Sequence, residues 1–376
     1  MTPTLFPGIR IDAAEIRIVR LPLLTPFVIS TGTMTEKVFP LLTLRGEGLE
    51  GYGEGVMDLW PDYLEETQAG GLAFLREVVL PRILGQSFAS PAELAAILDP
   101  WRGHRMSKAM VEMAFWDLWS KALNIPLCTA LGGVRDAVQV GVSLGIADIP
   151  TTLERVGAAV DAGYRRIKLK IKRGHDLQML KAVRGAFPDT HLTVDANTDY
   201  RLGDLPLLKS MDRFDLDYIE QPLAFDDIHD HATVQAHLVT AICLDESIRS
   251  AVDARKALVA GAARVVNIKV GRVGGFAQAR AIHDLCAAFD VPVWCGGMLE
   301  SGIGRAQNIH LATLANFSKP GDTSSASRYF KRDIIEQPLE AESGLMPVPK
   351  ACAGLGVTLD REYLGTVSGQ VEEFRR

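Results

Sequence analysis

Within residues 165–270 the segments Arg166-Ile-Lys-Leu-Lys170, Leu192-Thr-Val-Asp195, Tyr218-Ile-Glu220, Ile242-Cys-Leu-Asp245 and Val265-Val-Asn-Ile-Lys269 follow one another. Each is a short apolar run closed by an ionisable residue, and the closures stand 25, 25, 25 and 24 residues apart. One strand of about five residues, a crossover helix and two short loops consume roughly that length. A parallel barrel gathers the carboxyl ends of its strands on one rim, so charges repeated once per βα unit converge there. The spacing therefore predicts an α/β barrel with three carboxylates, Asp195, Glu220 and Asp245, between two lysines, Lys170 and Lys269. One charge at a strand end is ordinary. Five in register imply a shared purpose, because charges are seldom buried without partners. Adjacent carboxylates repel one another unless a cation neutralises them, and two Asp with one Glu offer the hard oxygen ligands that Mg²⁺ accepts.

Working outward, the rhythm starts at 138–144, where Ser143 precedes Lys170 by 27 residues and takes the equivalent rim position. It continues beyond Lys269 through a strand at 291–295, a glycine-rich loop at 296–304 and a last rim position near 321–325. The barrel is assigned to 136–325. Ahead of it, 11–21, 38–45 and 51–56 read as an antiparallel three-stranded start. Two apolar loops, 25–33 and 57–63, are expected to cover a site, since exposed apolar loop residues usually meet something. Residues 106–123 are apolar on nearly every helical face, which places that helix between two domains. These elements make up an α+β capping domain, 1–135, to which the segment 326–376 is expected to return. A chain of 376 residues suits about two domains.

The net charge of −6 argues against nucleic-acid and anionic-membrane partners. No apolar run reaches the roughly 18 residues that span a bilayer, and the opening residues lack an export signal. Five scattered cysteines without Cys-x-x-Cys spacing read as thiols in a reducing cytoplasm. The segment Gly271-Arg-Val-Gly-Gly275 lacks phosphate-loop order and is read as a tight βα turn.

Lys168 and Lys170 alternate on one strand and point the same way. Each is expected to lower the other's pKa, making Lys170 a base near neutrality. Lys269, four strands further round, would face it across the cation. A carboxylate substrate held there could lose an α-proton to one amine and regain one from the other on the opposite face. Glu246, beside a carboxylate of the cluster, is read either as a partner of Lys269 or as a plain surface acid.

Lys168-Leu-Lys170, Asp195-Ala-Asn197, Glu220-Gln-Pro222, Asp245-Glu-Ser247 and Lys269 resemble the signature of the enolase superfamily, muconate-lactonizing-enzyme subgroup. The stretches 296–304 and 321–329 resemble its N-succinylamino acid racemase/o-succinylbenzoate synthase branch. The resemblance implies a (β/α)7β TIM-like barrel with an α+β cap and one Mg²⁺, with Mn²⁺ or Co²⁺ able to substitute. It implies Asp195, Glu220 and Asp245 as metal ligands and Lys170 and Lys269 as the acid/base pair. Lys168 would assist with the substrate carboxylate, and Asn197, Ser143, Gly297 and Met298 would shape the pocket. Phe27 and Met57 would close over the substrate, and the subunits would form homo-oligomers, often octamers.

Racemisation of N-acylamino acids, with N-succinyl derivatives characteristic, is the first functional expectation. o-Succinylbenzoate synthase, a dehydration in menaquinone biosynthesis, is the alternative on the same rim. A dipeptide epimerase fits less well, because Asp322-Thr-Ser324 replaces the Asp-x-Asp that such relatives use to hold a free ammonium. A sugar-acid dehydratase would want a histidine where Cys295 stands. A non-catalytic metal-binding protein would be expected to have lost one of the five charges, and a Schiff-base aldolase has no clear use for three carboxylates.

Overall fold

The structure, a computed structural model, describes residues 8–29 and 32–376, the side chains of 27–29 and 32 excepted. Strands β1 (Ala13–Ile29), β2 (Gly32–Gly46) and β3 (Leu49–Glu54) form an antiparallel meander. Helix α1 (Arg105–Ala122) lies across it. The approach is close because β3 carries Gly51 and Gly53. A Cβ on either would run into the carbonyl oxygens of Ala114 and Met110. Fourteen of the 18 residues of α1 are buried. Met110, Val111, Ala114, Phe115 and Leu118 join the cap's apolar cluster, while Ala109, Met113 and Trp116 join the barrel's. The all-round apolar pattern of this helix thus reflects a place between two cores.

Seven parallel strands follow in sequence order: β4 (Val142–Leu144), β5 (Ile167–Lys170), β6 (Leu192–Asp195), β7 (Ile219–Glu220), β8 (Ile242–Leu244), β9 (Val265–Ile268) and β10 (Val293–Cys295). The eighth position is taken by 316–322, which bridges to Val293 on one side and Val140 on the other. Asp322 N–H donates to the Cys295 carbonyl at 2.9 Å and Gly141 N–H to the Gly321 carbonyl at 2.8 Å. Those contacts close the ring into an α/β TIM-like barrel. Helix α2 (Phe276–Ala288) precedes β10 and helix α3 (Gly302–Leu311) follows it. A last strand, β11 (Ser368–Arg375), pairs antiparallel with β1, so the cap's sheet order is β11-β1-β2-β3.

Two expectations need correction. The described residues of 25–33 are not an unpaired loop: 25–29 continue β1 and 32–33 begin β2, with Phe27 in register with Met34, while Thr33 does line the cavity over the barrel rim. The first barrel strand is also shorter than 138–144, because residues 137–139 pair antiparallel with Leu345–Pro347 instead.

Candidate active site

The β-ladder positions the acids before any side chain is considered. Glu220 is in direct register with Asp195 on β6, and Asp245 and Lys269 each follow the last residue of their strands. Just beyond the first two acids, Asn197 (φ 40°) and Gln221 (φ 36°) take left-handed backbone conformations. An asparagine tolerates that geometry better than a glutamine, and such strain concentrates at sites held in place by their surroundings.

Lys168 Nζ lies 2.7 Å from Asp322 Oδ2, 3.2 Å from Glu220 Oε2 and 3.5 Å from Asp195 Oδ2. Lys170 Nζ donates at 2.6 Å to both Asp195 Oδ2 and Asn197 Oδ1. On the far side of Glu220, Lys269 Nζ donates to Asp245 Oδ2 at 2.7 Å and to the Tyr63 hydroxyl at 3.0 Å. Arg272 binds the other oxygen of Asp245 and also donates to the Tyr63 hydroxyl at 3.2 Å. The two candidate bases therefore rest on different acids, with Glu220 on the strand between.

The electrostatics correct one expectation. Burial works against the charge on Lys168, but the Asp322, Glu220 and Asp195 carboxylates outweigh it and hold this lysine above its ordinary range. Lys269 is likewise raised, burial being outweighed by Tyr63, Glu246 and Glu220. For Lys168, the depression expected beside a second lysine loses to the surrounding acids. For Asp195, burial is overcome by Lys170 and Lys168, which hold the carboxyl down at about 2. Burial and the Asp195 charge push Glu220 the other way.

A cavity of about 410 Å³ opens over this rim. Ser143, Lys168, Lys170, Asn197, Gly297 and Met298 line it, with Asp195 and Lys269. Met57 does not: it is fully buried in a small cluster with Val56, Leu64 and Met106, against Tyr63 and Met298. Its loop instead presents Leu59, Trp60 and Tyr63 to the cavity. The Phe27 side chain lies outside the described residues. Glu246 is no surface acid, being 2% exposed and accepting from Asn197 Nδ2 at 3.2 Å.

Sequence reading missed Asn267, Tyr63, Arg272 and the engagement of Asp322. Asn267 Nδ2 donates to Glu220 Oε1 at 2.9 Å, and its signal was present, since it alternates with Lys269 on one strand. Tyr63 reaches the rim only through domain closure, which no local pattern encodes.

The donor set suits a hard cation. Glu220 Oε2 is a buried oxygen without a hydrogen bond, 3.2 Å from the Lys168 ammonium. As the side chains stand, cationic groups front the acids, and among the described residues no three His, Cys, Asp or Glu side chains converge on one point.

A family model described as the N-terminal domain of mandelate racemase/muconate lactonizing enzyme matches residues 13–132, and one described as enolase C-terminal domain-like matches 151–363. The chain belongs to the enolase superfamily. Among its enolase-superfamily relatives, the N-succinylamino acid racemase of Thermus thermophilus is 54% identical over 360 residues, 96% of this chain and 97% of that one. An o-succinylbenzoate synthase of Geobacillus kaustophilus is 46% identical, covering 98% and 99%. The crystal structure of an enolase-superfamily member from Listeria innocua superposes with a TM-score of 0.95 at 40% identity, over 98% of this chain and 99% of that one. Enolase-superfamily enzymes depend on a divalent metal. Among the described residues no helix is long and apolar enough to cross a membrane.

Proposed function

We propose that the chain racemises N-acylamino acids, N-succinyl derivatives foremost, by moving the α-proton between Lys170 and Lys269. The observation that carries this reading is the placement of the two lysines on either side of Glu220, each 2.6–2.7 Å from a different carboxylate of the rim. Asp195, Glu220 and Asp245 would hold one Mg²⁺, with Mn²⁺ or Co²⁺ able to replace it. When bound, the cation supplies positive charge where negative charge builds on the substrate carboxylate. Lys170 accepts the α-proton from one enantiomer while the Lys269 ammonium donates to the opposite face, and the roles reverse for the other enantiomer. Lys168, held cationic by its acid neighbours, steadies the substrate carboxylate. Ser143, Asn197, Gly297 and Met298 shape the pocket wall.

An N-blocked substrate is supported by Asp322. That carboxylate already sits 2.5 Å from Arg166 and 2.7 Å from Lys168, leaving little charge for a free substrate ammonium. o-Succinylbenzoate synthase activity is the second reading, favoured by the 46% identity to an enzyme of that name. The same residues would serve, with Lys170 removing the proton and returning it to the departing hydroxyl, which leaves as water, and Lys269 remaining an ammonium.

The test is ¹H-to-²H exchange at the α-carbon of both enantiomers of N-succinylphenylalanine in D₂O with Mg²⁺, beside turnover of the synthase substrate. Exchange from both enantiomers is expected, and exchange from neither would overturn the racemase reading. We further propose the division into a cap (1–135), a barrel (136–325) and a returning segment (326–376), supported by the pairing of β11 with β1. A cytoplasmic homo-oligomer, octameric by resemblance, completes the proposal. Five free cysteines suit that compartment, and sedimentation would check the assembly.

A further inference from the structure

Most buried cations of the rim are paired with acids. Arg166 and Lys168 meet Asp322, Lys170 meets Asp195, and Lys269 and Arg272 meet Asp245. Arg305, in the first turn of α3, breaks the pattern. It lines the same cavity and is 3% exposed, yet no carboxylate of the described residues lies within 4.0 Å of it. Its Nε donates to the Glu300 carbonyl at 3.1 Å and Nη1 to the Ser324 carbonyl at 2.6 Å, while Nη2 has no acceptor among the described residues. The guanidinium also lies over the Tyr329 ring, 5.1 Å from its centroid. Two carbonyls and an aromatic face thus fix its orientation without neutralising it. The nearest acid in sequence, Glu300, is committed elsewhere: one oxygen accepts from Met298 N–H and the other from Asn308 Nδ2.

Asp333 feels this charge but does not touch it, and accepts instead from Gly302 and Ile334 N–H. A buried guanidinium held in place with no carboxylate in contact is a receptor for an anion. The α-carboxylate of the substrate belongs with Lys168 at the rim, so the anion that reaches Arg305 must be a second one. Resting on the reading above, the names of the two curated relatives converge here: an N-succinylamino acid and an o-succinylbenzoate share a succinyl group, which ends in a second carboxylate. From the α-carbon of an N-succinylamino acid that carboxylate extends about 6 Å, one peptide-like step and two further carbons. Ser324, whose carbonyl positions Arg305, lies two residues past Asp322, whose side chain meets Lys168. The cation therefore lies beside the rim, on the wall of the cavity that the rim lysines share.

We propose that Arg305 is the specificity-determining residue that receives the distal carboxylate of a succinyl substrate. Lys37 is its rival on the cap side, since it lines the cavity and is 2% exposed, but Asp58 lies 3.5 Å from its ammonium.

The experiment compares kcat/KM for N-succinyl- and N-acetylphenylalanine in the Mg²⁺-loaded wild type and in Arg305→Gln, Arg305→Lys and Lys37→Met. Both substrates are assayed on one preparation, so loss of folded protein cancels in the ratio. Wild type should prefer the succinyl substrate. Arg305→Gln should lower the succinyl-to-acetyl ratio about tenfold or more, chiefly through KM, and Arg305→Lys should retain part of the preference. A wild type indifferent to the acyl group, an equal loss on both substrates, or a larger fall in Lys37→Met than in Arg305→Gln overturns the assignment. A wild type inert on both substrates ends the racemase reading itself, and the assignment with it.

Discussion

Two pairs of buried glutamates in this molecule look alike in composition and differ in what surrounds them. Glu54 and Glu112, each 1% exposed, reach from the cap into the barrel. Glu54 accepts from Ser301 N–H and Oγ–H and from Gly304 N–H at the start of α3. Glu112 accepts from Phe276 and Ala277 N–H at the start of α2, and from Trp116 Nε1. Helix N-termini carry orphan donors and a positive dipole end, so each acid docks a barrel helix onto the cap. Glu220 and Glu246, on the rim, are as deeply buried, yet each keeps one oxygen without a hydrogen bond. Where an acid holds domains together, every oxygen is engaged. At the rim, Glu220 and Glu246 each leave one open.

The sharpest way to break that contrast begins at the rim. Lys269→Ala and Lys170→Ala should each slow α-proton exchange about a thousandfold, with opposite enantiomers most affected. Full two-way exchange by Lys269→Ala, followed by NMR in D₂O, would show that the amine beside Asp245 is structural. Next in size, Glu220→Gln should weaken Mg²⁺ binding about tenfold or more in calorimetry, while Glu54→Gln should leave it nearly unchanged. Equal losses would erase the distinction between open and engaged acids. Stability should show the reverse order. Glu112→Ala should cost about 2–3 kcal/mol in denaturant unfolding by stranding three donors, whereas Glu220→Gln should cost the ion-free protein little or nothing.

The smallest effect is a pH slope. Burial lifts Glu54 and Glu112 from the ordinary 4.5 to about 7, against the donors that favour their charge. Between those values the folded protein holds protons that the unfolded chain has released, so their contribution makes stability fall as pH rises from about 4.5 to about 7. The double variant Glu54→Gln/Glu112→Gln should flatten that slope in unfolding curves taken across the interval. An unchanged slope would locate the titration elsewhere.

The rim was legible because a barrel converts sequence period into spatial neighbourhood, and Asp195, Glu220 and Asp245 each close one βα unit. The interdomain contacts were not, since Glu54, Glu112 and Tyr63 act on segments roughly 160 to 250 residues away along the chain. Met57 was named from the family resemblance, but its apolar side chain packs inward with Val56, Leu64 and Met106 while Tyr63 delivers a hydroxyl to the cavity. The pairing of residues 25–29 with β2 was hidden because the segment is flanked by Pro and Gly, and β1 absorbs the interruption as a register shift between Pro22 and Phe27. The expected depression of Lys168 failed because charge counting along one strand ignores Asp322, which arrives from the far end of the barrel.

The pairing of β11 with β1 has a temporal side. Early and late parts of the polypeptide share one sheet, so the barrel can wind up on the ribosome while the cap still lacks its outer strand. Until residue 375 emerges, the outer edge of β1 offers bare amides and carbonyls to any neighbouring nascent chain. Completion of the sheet whose β2 borders the cavity is thereby tied to translation of residues 368–375.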